Sequence, residues 1–570
     1  MRKIIATLFL FAGFYPGGAI AQTASQLPED VEANIKKRIA YEQSPSIVIG
    51  IVNKEGARYF NFGNVKMNGA LANEHSIYEI GSISKVFTAI LLAQQVLDGK
   101  VKLDDPAQKY LPKEVKVPQR DGKEIALANL SDHTSGLPRM PSNFTPADLG
   151  NPFADYTVAQ LYTFLSGYEL TRDIGSAYEY SNLAQGLLGH ILALNAGISY
   201  EALMIKTIAS PLHMKETKIT FDDKMKSNLA TGYSNGVAVE NWDIPTLAGA
   251  GAIRSSTYDM LKFLAANLGL TKSPLQTAMN MTHQVRHDKA GNMRVGLAWH
   301  IAKGKNGDVI WHNGGTGGYR TFAGFVKETS TGVVVLTNSS TGADDIGFHL
   351  LNPDSPLAEP RASIVPAMRK EIDSKGAEAG VALYQELKRS TVDYDFGENV
   401  LNTLGYSYLD KNLPAALALL KLNVELFPTS SNVYDSYGEA LLKNNQKDLS
   451  IENYKKSVEL NPGNTGAIKA LEDLGVKVQP VDADVPEAIL ETYVGTYALS
   501  PAFNIEVTRS GKQLFAQATN QSKFEIFAKS TTEFYLKVVV ASITFNTNGT
   551  QVESLTLHQN GQNVPGKKVK

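Results

Sequence analysis

No cysteine occurs in the 570 residues, which excludes a structural disulfide, a thiolate nucleophile and a lipidated cysteine. Chemistry here must use oxygen, nitrogen or metal. Nor is there an excess of charge of either sign: 55 Lys and Arg against 57 Asp and Glu leave a formal net charge of -2. No field suited to a polyanion results, so nucleic acid is not an expected partner. Long apolar runs are also missing beyond the first residues, which predicts no stable membrane span in the mature chain.

The one apolar run sits at the start. Met1-Arg2-Lys3 is followed by apolar residues from Ile4 to about Gly13, then Ala19-Ile20-Ala21 before Gln22. That is the charged, apolar and small-x-small pattern of a secretory signal peptide over residues 1–21, implying a periplasmic or secreted protein. The competing reading is a short uncleaved anchor, opposed by Pro16-Gly17-Gly18, which breaks the run short of a span.

A chain of this length exceeds what one hydrophobic core sustains, and the pattern changes twice along it. In residues 22–365, Ser46–Val52 and Arg58–Gly63 flank an Asn53-Lys54-Glu55-Gly56 turn signal and read as a hairpin. Val295–Ile301, Asp308–His312, Tyr319–Val326 and Gly332–Leu336 read as further strands, with helical periodicity between the two groups, as in Val86–Asp98 and Leu183–Ala196. Strands from both ends and helices between them predict an α/β (α+β) domain: an antiparallel sheet covered by a helical region.

Residues 366–478 are helical in pattern. Leu426-Phe427-Pro428 and Leu460-Asn461-Pro462 recur 34 residues apart, and Gly405 and Gly438 nearly so. This resembles tetratricopeptide repeats, a possible docking surface for a protein partner; an ordinary helical linker is the alternative. Residues 486–570 carry short strand-like runs separated by turns such as Arg509-Ser510-Gly511, which predicts a small all-β barrel or sandwich.

Three segments hold residues capable of chemistry. Gly81-Ser82-Ile83-Ser84-Lys85 opens a helix, and positions three apart share a face, so the Lys85 amine reaches the Ser82 hydroxyl. Serine needs a base, and a desolvated lysine is one. Alone, the pattern is equally a helix cap followed by a surface lysine. Tyr178-Glu179-Tyr180-Ser181-Asn182 precedes another helix; a tyrosine near a lysine can carry protons, and an asparagine amide can orient a carbonyl. His312-Asn313-Gly314-Gly315 ends a strand, where glycines admit substrate to the backbone and an amide can serve an oxyanion, although a tight hairpin turn also explains them.

Ser-x-x-Lys, Tyr-x-Asn and His-x-Gly in this order resemble the three motifs of the serine β-lactamase and penicillin-binding-protein superfamily, above all its class C β-lactamase, DD-peptidase and esterase branch. Leu130–Pro138, Gly251–Ser256 and Gly296–Trp299 are similar to supporting segments of that branch. The resemblance implies Ser82 as acylated nucleophile, Lys85 as its activator, Tyr180 as proton carrier and Asn182 as substrate-positioning. His312 and Gly314 fall on the family's Lys-Thr-Gly triplet, and the amides of Ser82 and Gly315 form the oxyanion hole. No metal or organic cofactor is implied. His133 belongs to scaffolding, His300 and Trp311 read as strand residues, and Ser84 points away from Lys85.

The histidine in place of lysine, mostly neutral at pH 7, suits a β-lactam carboxylate less well. A DD-peptidase, D-amino-acid peptidase or esterase is therefore expected first, acting on a small-molecule or peptide substrate, with β-lactamase second. A non-catalytic penicillin-binding or partner-recruiting protein is the reading from another class. By the same resemblance the terminal β-domain is lipocalin-like.

Overall fold

The computed structural model describes residues 26–570 except 235, 291–292, 391–393, 463, 477–483, 501–502, 520, 522, 537–538, 540, 549–550, 560–561 and 570. The expected signal peptide lies outside the described residues.

The expected hairpin forms as β1 (Ser46–Asn53) and β2 (Gly56–Gly63). It joins β3 (His287–Ala290), β4 (Met293–Val295), β5 (His300–Gly304), β6 (Gly307–Gly315), β7 (Arg320–Val326) and β8 (Thr331–Thr337) in one eight-stranded sheet. The order is β2-β1-β8-β7-β6-β5-β4-β3, and every neighbouring pair is antiparallel. Strand β1 therefore pairs with β8 from the far end of the domain, Ile47 opposite Thr337.

Alternation along β1 serves two cores. Ile47, Ile49 and Ile51 pack on one face with Val31 and Ile35 of α1 (Glu29–Ala40), whereas Val48 and Val52 face the larger helical core. A strand covered on both sides must be apolar throughout, as Ser46–Val52 nearly is. Gly50 interrupts it for a reason of space: a Cβ there would lie 2.6 Å from Thr257 Cγ2.

The large core contains α2 (Ser84–Leu97) and α3 (Asn182–Ala196), with α4 (Thr257–Asn267) packed on the sheet. Beyond β8, α5 (Asp344–Leu351) returns to the α1 side, where Ile346 and Leu351 join Val31 and Ile35. The expected strand Val295–Ile301 is broken in two. Gly296 donates its N–H to Trp299 O, Ala298 takes φ 61°, and Trp299 is buried, so β4 and β5 are joined by a tight turn.

Among the described residues seven helices follow, from Val365–Lys375 to Thr465–Asp473. Side chains about 34 positions apart meet across them: Asn432 donates to Glu398 at 2.9 Å and Tyr406 to Glu439 at 2.7 Å. The recurring glycines lie where helices press together, Gly405 on Leu420 and Gly438 on Tyr454. The C-terminal strands, Gly495–Ser500 to Gln562–Lys568, close into an eight-stranded barrel, which decides between barrel and sandwich. A short helix, Glu487–Tyr493, precedes the first barrel strand. Among the described residues no single helix is long and apolar enough to cross a membrane.

Candidate active site

Ser82 stands in a 3-10 turn, Gly81–Ile83, that runs directly into α2. Gly81 has φ 52°, and a Cβ on it would lie 2.7 Å from Gly315 N, so the turn and the end of β6 touch backbone to backbone. One residue earlier the fit is tighter still: a Cβ on Gly314 would lie 1.9 Å from Ile80 O. Thr321 of β7 donates to that same carbonyl at 3.0 Å. The glycine at 314 is thus required by chain packing; substrate has no room on that side, which corrects the expectation of open access there. Gly315 is exposed, and Ser82 is half-buried beside it.

Lys85 lies one turn along from Ser82 and is 0 % exposed. Its Nζ meets Ser82 Oγ at 2.9 Å, Asn182 Oδ1 at 2.9 Å and Ala250 O at 2.6 Å. Two of these partners are carbonyl oxygens, which only accept. A neutral amine therefore gives its two hydrogens to Asn182 and Ala250 and points its lone pair at the Ser82 hydroxyl. Burial first, and then the charge of Arg139, hold the Lys85 amine well below the ordinary lysine range.

Helix α3 supplies Asn182 as its first residue. Ser181 caps the helix, its hydroxyl accepting from Ala184 N at 2.9 Å and donating to Pro138 O at 2.6 Å. The Asn182 N–H bonds Arg139 O at 3.0 Å. The other helix face carries Gly189, whose missing side chain lets the Ala248–Gly251 turn approach until a Cβ on it would lie 2.8 Å from Gly249 Cα. That approach places Ala250 O over Lys85.

Tyr180 completes the cleft. Its hydroxyl bonds Ser82, and its ring lies 4.9 Å from Lys85 Nζ and 5.1 Å from the Arg139 guanidinium carbon. Burial pushes its hydroxyl up to about 12, so near neutrality it is a phenol that carries its proton. Behind it His133 stacks at 4.6 Å, wholly buried, with Nδ1 accepting from Ser181 N.

His312 is buried at 0 % exposure, out of reach of solvent, so in this conformation it offers nothing to a substrate directly. Its ring lies 6.2 Å from that of Tyr180 and stacks at 4.9 Å on His300. Its Nδ1 lies 2.5 Å from Asn313 O, which can only accept, so the proton is on Nδ1 and Nε2 presents a lone pair. Desolvation keeps His312 and His133 well below the ordinary histidine range and brings His300 to about 4, so all three rings are neutral near pH 7.

The structure thus brings Ser82, Lys85, Tyr180, Asn182 and Gly315 to one cleft, with His312 and Gly314 packed behind it. Ser84 is turned away, its hydroxyl accepting from Ile253 N at 3.0 Å. His300 does begin a strand, yet it also bonds Tyr178 Oη at 3.0 Å. Arg139 and Ala250 were not singled out from sequence. Ala250 contributes a carbonyl that any residue would have; the hint for Arg139 was its position just after the Leu130–Pro138 segment.

Residues 31–350 match the family model described as Beta-lactamase, and residues 479–568 match a domain of unknown function (DUF3471). The chain is 27% identical over 354 residues to a beta-lactamase of Pseudomonas fluorescens, covering 56% of this chain and 95% of that one. It is 30% identical over 311 residues to the D-alanyl-D-alanine-carboxypeptidase/endopeptidase AmpH of Escherichia coli K12, covering 50% and 79%. Among solved structures, a class C beta-lactamase aligns with TM-score 0.50 at 23% identity, over 56% of this chain and 93% of that one. A beta-lactamase/D-alanine carboxypeptidase from Pseudomonas syringae aligns with TM-score 0.50 at 22% identity, over 57% and 98%. These two likenesses concern the fold.

Proposed function

The chain belongs to the Beta-lactamase family across residues 31–350, and from that membership we propose an exported serine hydrolase that cleaves amides or esters through an acyl-enzyme. Peptides ending in D-amino acids and carboxylic esters rank ahead of β-lactams as substrates. The observation that carries this reading is the 2.9 Å contact between Ser82 Oγ and the buried Lys85 Nζ, whose two other partners are carbonyl oxygens.

Lys85 takes the proton of Ser82 as Oγ attacks the substrate carbonyl. The N–H groups of Ser82 and Gly315 receive the oxygen as it becomes negative. Tyr180, still protonated, passes its proton to the departing amine or alcohol and recovers one from Lys85, so the carbon–nitrogen or carbon–oxygen bond breaks as the Ser82 ester forms. Water then attacks that ester, releasing the acid and restoring Ser82. The side chain of Asn182 bonds Lys85 through Oδ1 and orients substrate along the same wall.

The ranking of substrates rests on His312. A buried neutral ring stands where a lysine on β6 would meet a β-lactam carboxylate, so that particular contact is missing at this position. The similarity to the Pseudomonas fluorescens beta-lactamase favours β-lactams as the second reading.

The test is to treat the exported protein, its intact mass first checked for loss of residues 1–21, with a fluorescent penicillin, a chromogenic cephalosporin, a 4-nitrophenyl ester and D-alanyl peptides. Turnover, with an adduct found by mass spectrometry on the peptide containing Ser82, is the expected result. An adduct elsewhere, or neither adduct nor turnover, removes the proposal; labelling without turnover favours a binding protein instead.

A second expectation concerns pH. The lysine must lose its proton to act, and its folded value lies below the ordinary one, so kcat/KM should climb with pH and level off well below pH ~10. A profile still climbing at that pH would show that Lys85 is not the base.

A further inference from the structure

Two guanidinium groups border the described cleft: Arg320 beside Gly315 is tied to Thr316 O at 2.7 Å and Tyr319 O at 2.9 Å, whereas Arg139 has no role in the proposed chemistry. Arg139 is exposed at the rim, its guanidinium carbon 5.1 Å from the Tyr180 ring centroid. Its backbone is fixed, because Arg139 O accepts from both Asn182 N at 3.0 Å and Leu183 N at 3.2 Å at the start of α3. Among the described residues no acidic side chain pairs with or hydrogen-bonds this guanidinium.

Acids near the cleft residues in sequence are already engaged, Glu79 among them, which accepts from Trp242 N at 2.9 Å and from Arg254 at 3.3 Å. Glu179 pairs with Arg172, and the buried Asp132 accepts from Arg286 at 2.9 Å and from His287 at 3.0 Å. Among the described residues, the groups acting electrostatically on Lys85, His133, Tyr178 and Tyr180 are Arg139, Lys85 itself and neighbouring rings, with no carboxylate. The position that a cation would occupy at the end of β6 is filled by His312, buried and neutral.

From this geometry we infer that Arg139 is the anion-recognition residue of the cleft: the substrate carries a carboxylate, and the Arg139 guanidinium at the Tyr180–Asn182 wall receives it. The inference rests on the hydrolase reading above and adds the substrate's charge to it. Guanidinium suits the task, because its planar fork can donate two parallel hydrogen bonds to one carboxylate, and an exposed rim position spares it the cost of being buried without a partner.

The carboxylate can belong to the acyl part or to the leaving group, and matched esters separate the two. Mono-4-nitrophenyl adipate against 4-nitrophenyl hexanoate places the charge on the acyl side. 4-Carboxyphenyl hexanoate against 4-carbamoylphenyl hexanoate places it on the leaving group. In one pair wild type should prefer the anion in kcat/KM by about 10- to 100-fold, the range that a charge-assisted hydrogen bond supplies.

Arg139→Gln should bring that ratio close to one, and Arg139→Lys should keep part of it, with each variant measured on its own pH plateau because Arg139 also acts on Lys85. The preference of wild type should also shrink as salt is raised, since a rim charge is screened. A ratio near one in both pairs for wild type, or one unchanged by Arg139→Gln, overturns the inference and leaves the hydrolase standing. Failure to turn over any of the esters, together with no adduct on Ser82, overturns both.

Discussion

Ser82→Ala is expected to lower kcat by about 10^4- to 10^6-fold on every substrate that the wild type turns over, the loss that follows removal of the nucleophile from a serine hydrolase. The fold should survive. The side chain is small and half-buried at the mouth of the cleft, and its bonding partners, Lys85 and Tyr180, keep their other contacts. Thermal denaturation should therefore show little change while activity and penicillin labelling disappear together.

Ser84→Ala is the internal control. That hydroxyl accepts from Ile253 N in a fully buried setting, so its loss should cost about 1–3 kcal/mol of stability while leaving the nucleophile in place. Steady-state kinetics and melting curves on the pair separate chemistry from structure. If Ser84→Ala proved inactive and Ser82→Ala active, the nucleophile would have been misassigned.

Gly314→Ala should be the next most damaging change, by another route and to a smaller extent. The new methyl would fall 1.9 Å from Ile80 O and 2.4 Å from Thr321 Oγ1, and neither can retreat easily: one is backbone two residues before Ser82, the other is held between strands. The turn must shift off β6, carrying Ser82 N away from Gly315 N. A displacement of about 1 Å is enough to cost on the order of 100-fold in rate, and overpacking of this kind costs about 1–3 kcal/mol in stability.

Gly315→Ala adds the same methyl one position later. There the nearest atom is Arg320 Nη1, at 3.0 Å, a side-chain atom held by Thr316 O and Tyr319 O that needs to give by only a few tenths of an ångström, against the backbone overlap of 1.9 Å at Gly314. The loss of kcat/KM should be clearly smaller than for Gly314→Ala. Equal losses at both positions would mean that contact with Ile80 does not govern the site.

The two glycines also mark where sequence reading worked and where it stopped. Ser82 and Lys85 could be paired from sequence because three residues on one helical turn determine their distance. The β-branched apolar runs of Ser46–Val52 and Gly332–Leu336 announced strands before any partner was known. Nothing local says that Ala250 O accepts from Lys85, since that contact depends on Gly189 meeting Gly249 across a helix pair.

The same holds for the rings behind Tyr180. His133, His300 and His312 lie far apart in the chain, and only the packing of β5 against β6 and of the His133 loop under Tyr180 makes them one buried group. A histidine on a strand looks alike whether it faces solvent or another histidine. Gly314 read as room for a substrate because a glycine beside a candidate site has that meaning as often as close packing does. Only the position of Ile80 O decides between them.

The pairing of β1 with β8 has a consequence for how the molecule comes into being. Ile47 waits for Thr337, 290 residues later by the difference of their numbers, and no local contact can substitute. At about 5–20 residues per second of synthesis, the hairpin spends roughly 15–60 s with one edge of an almost wholly apolar strand unpaired. Closing so long a loop also costs entropy before the ladder returns any of it. The domain of residues 31–350 thus cannot begin to fold for good from its leading end: its first strand is a hydrophobic edge that must be kept from other chains until the last strand of the sheet arrives.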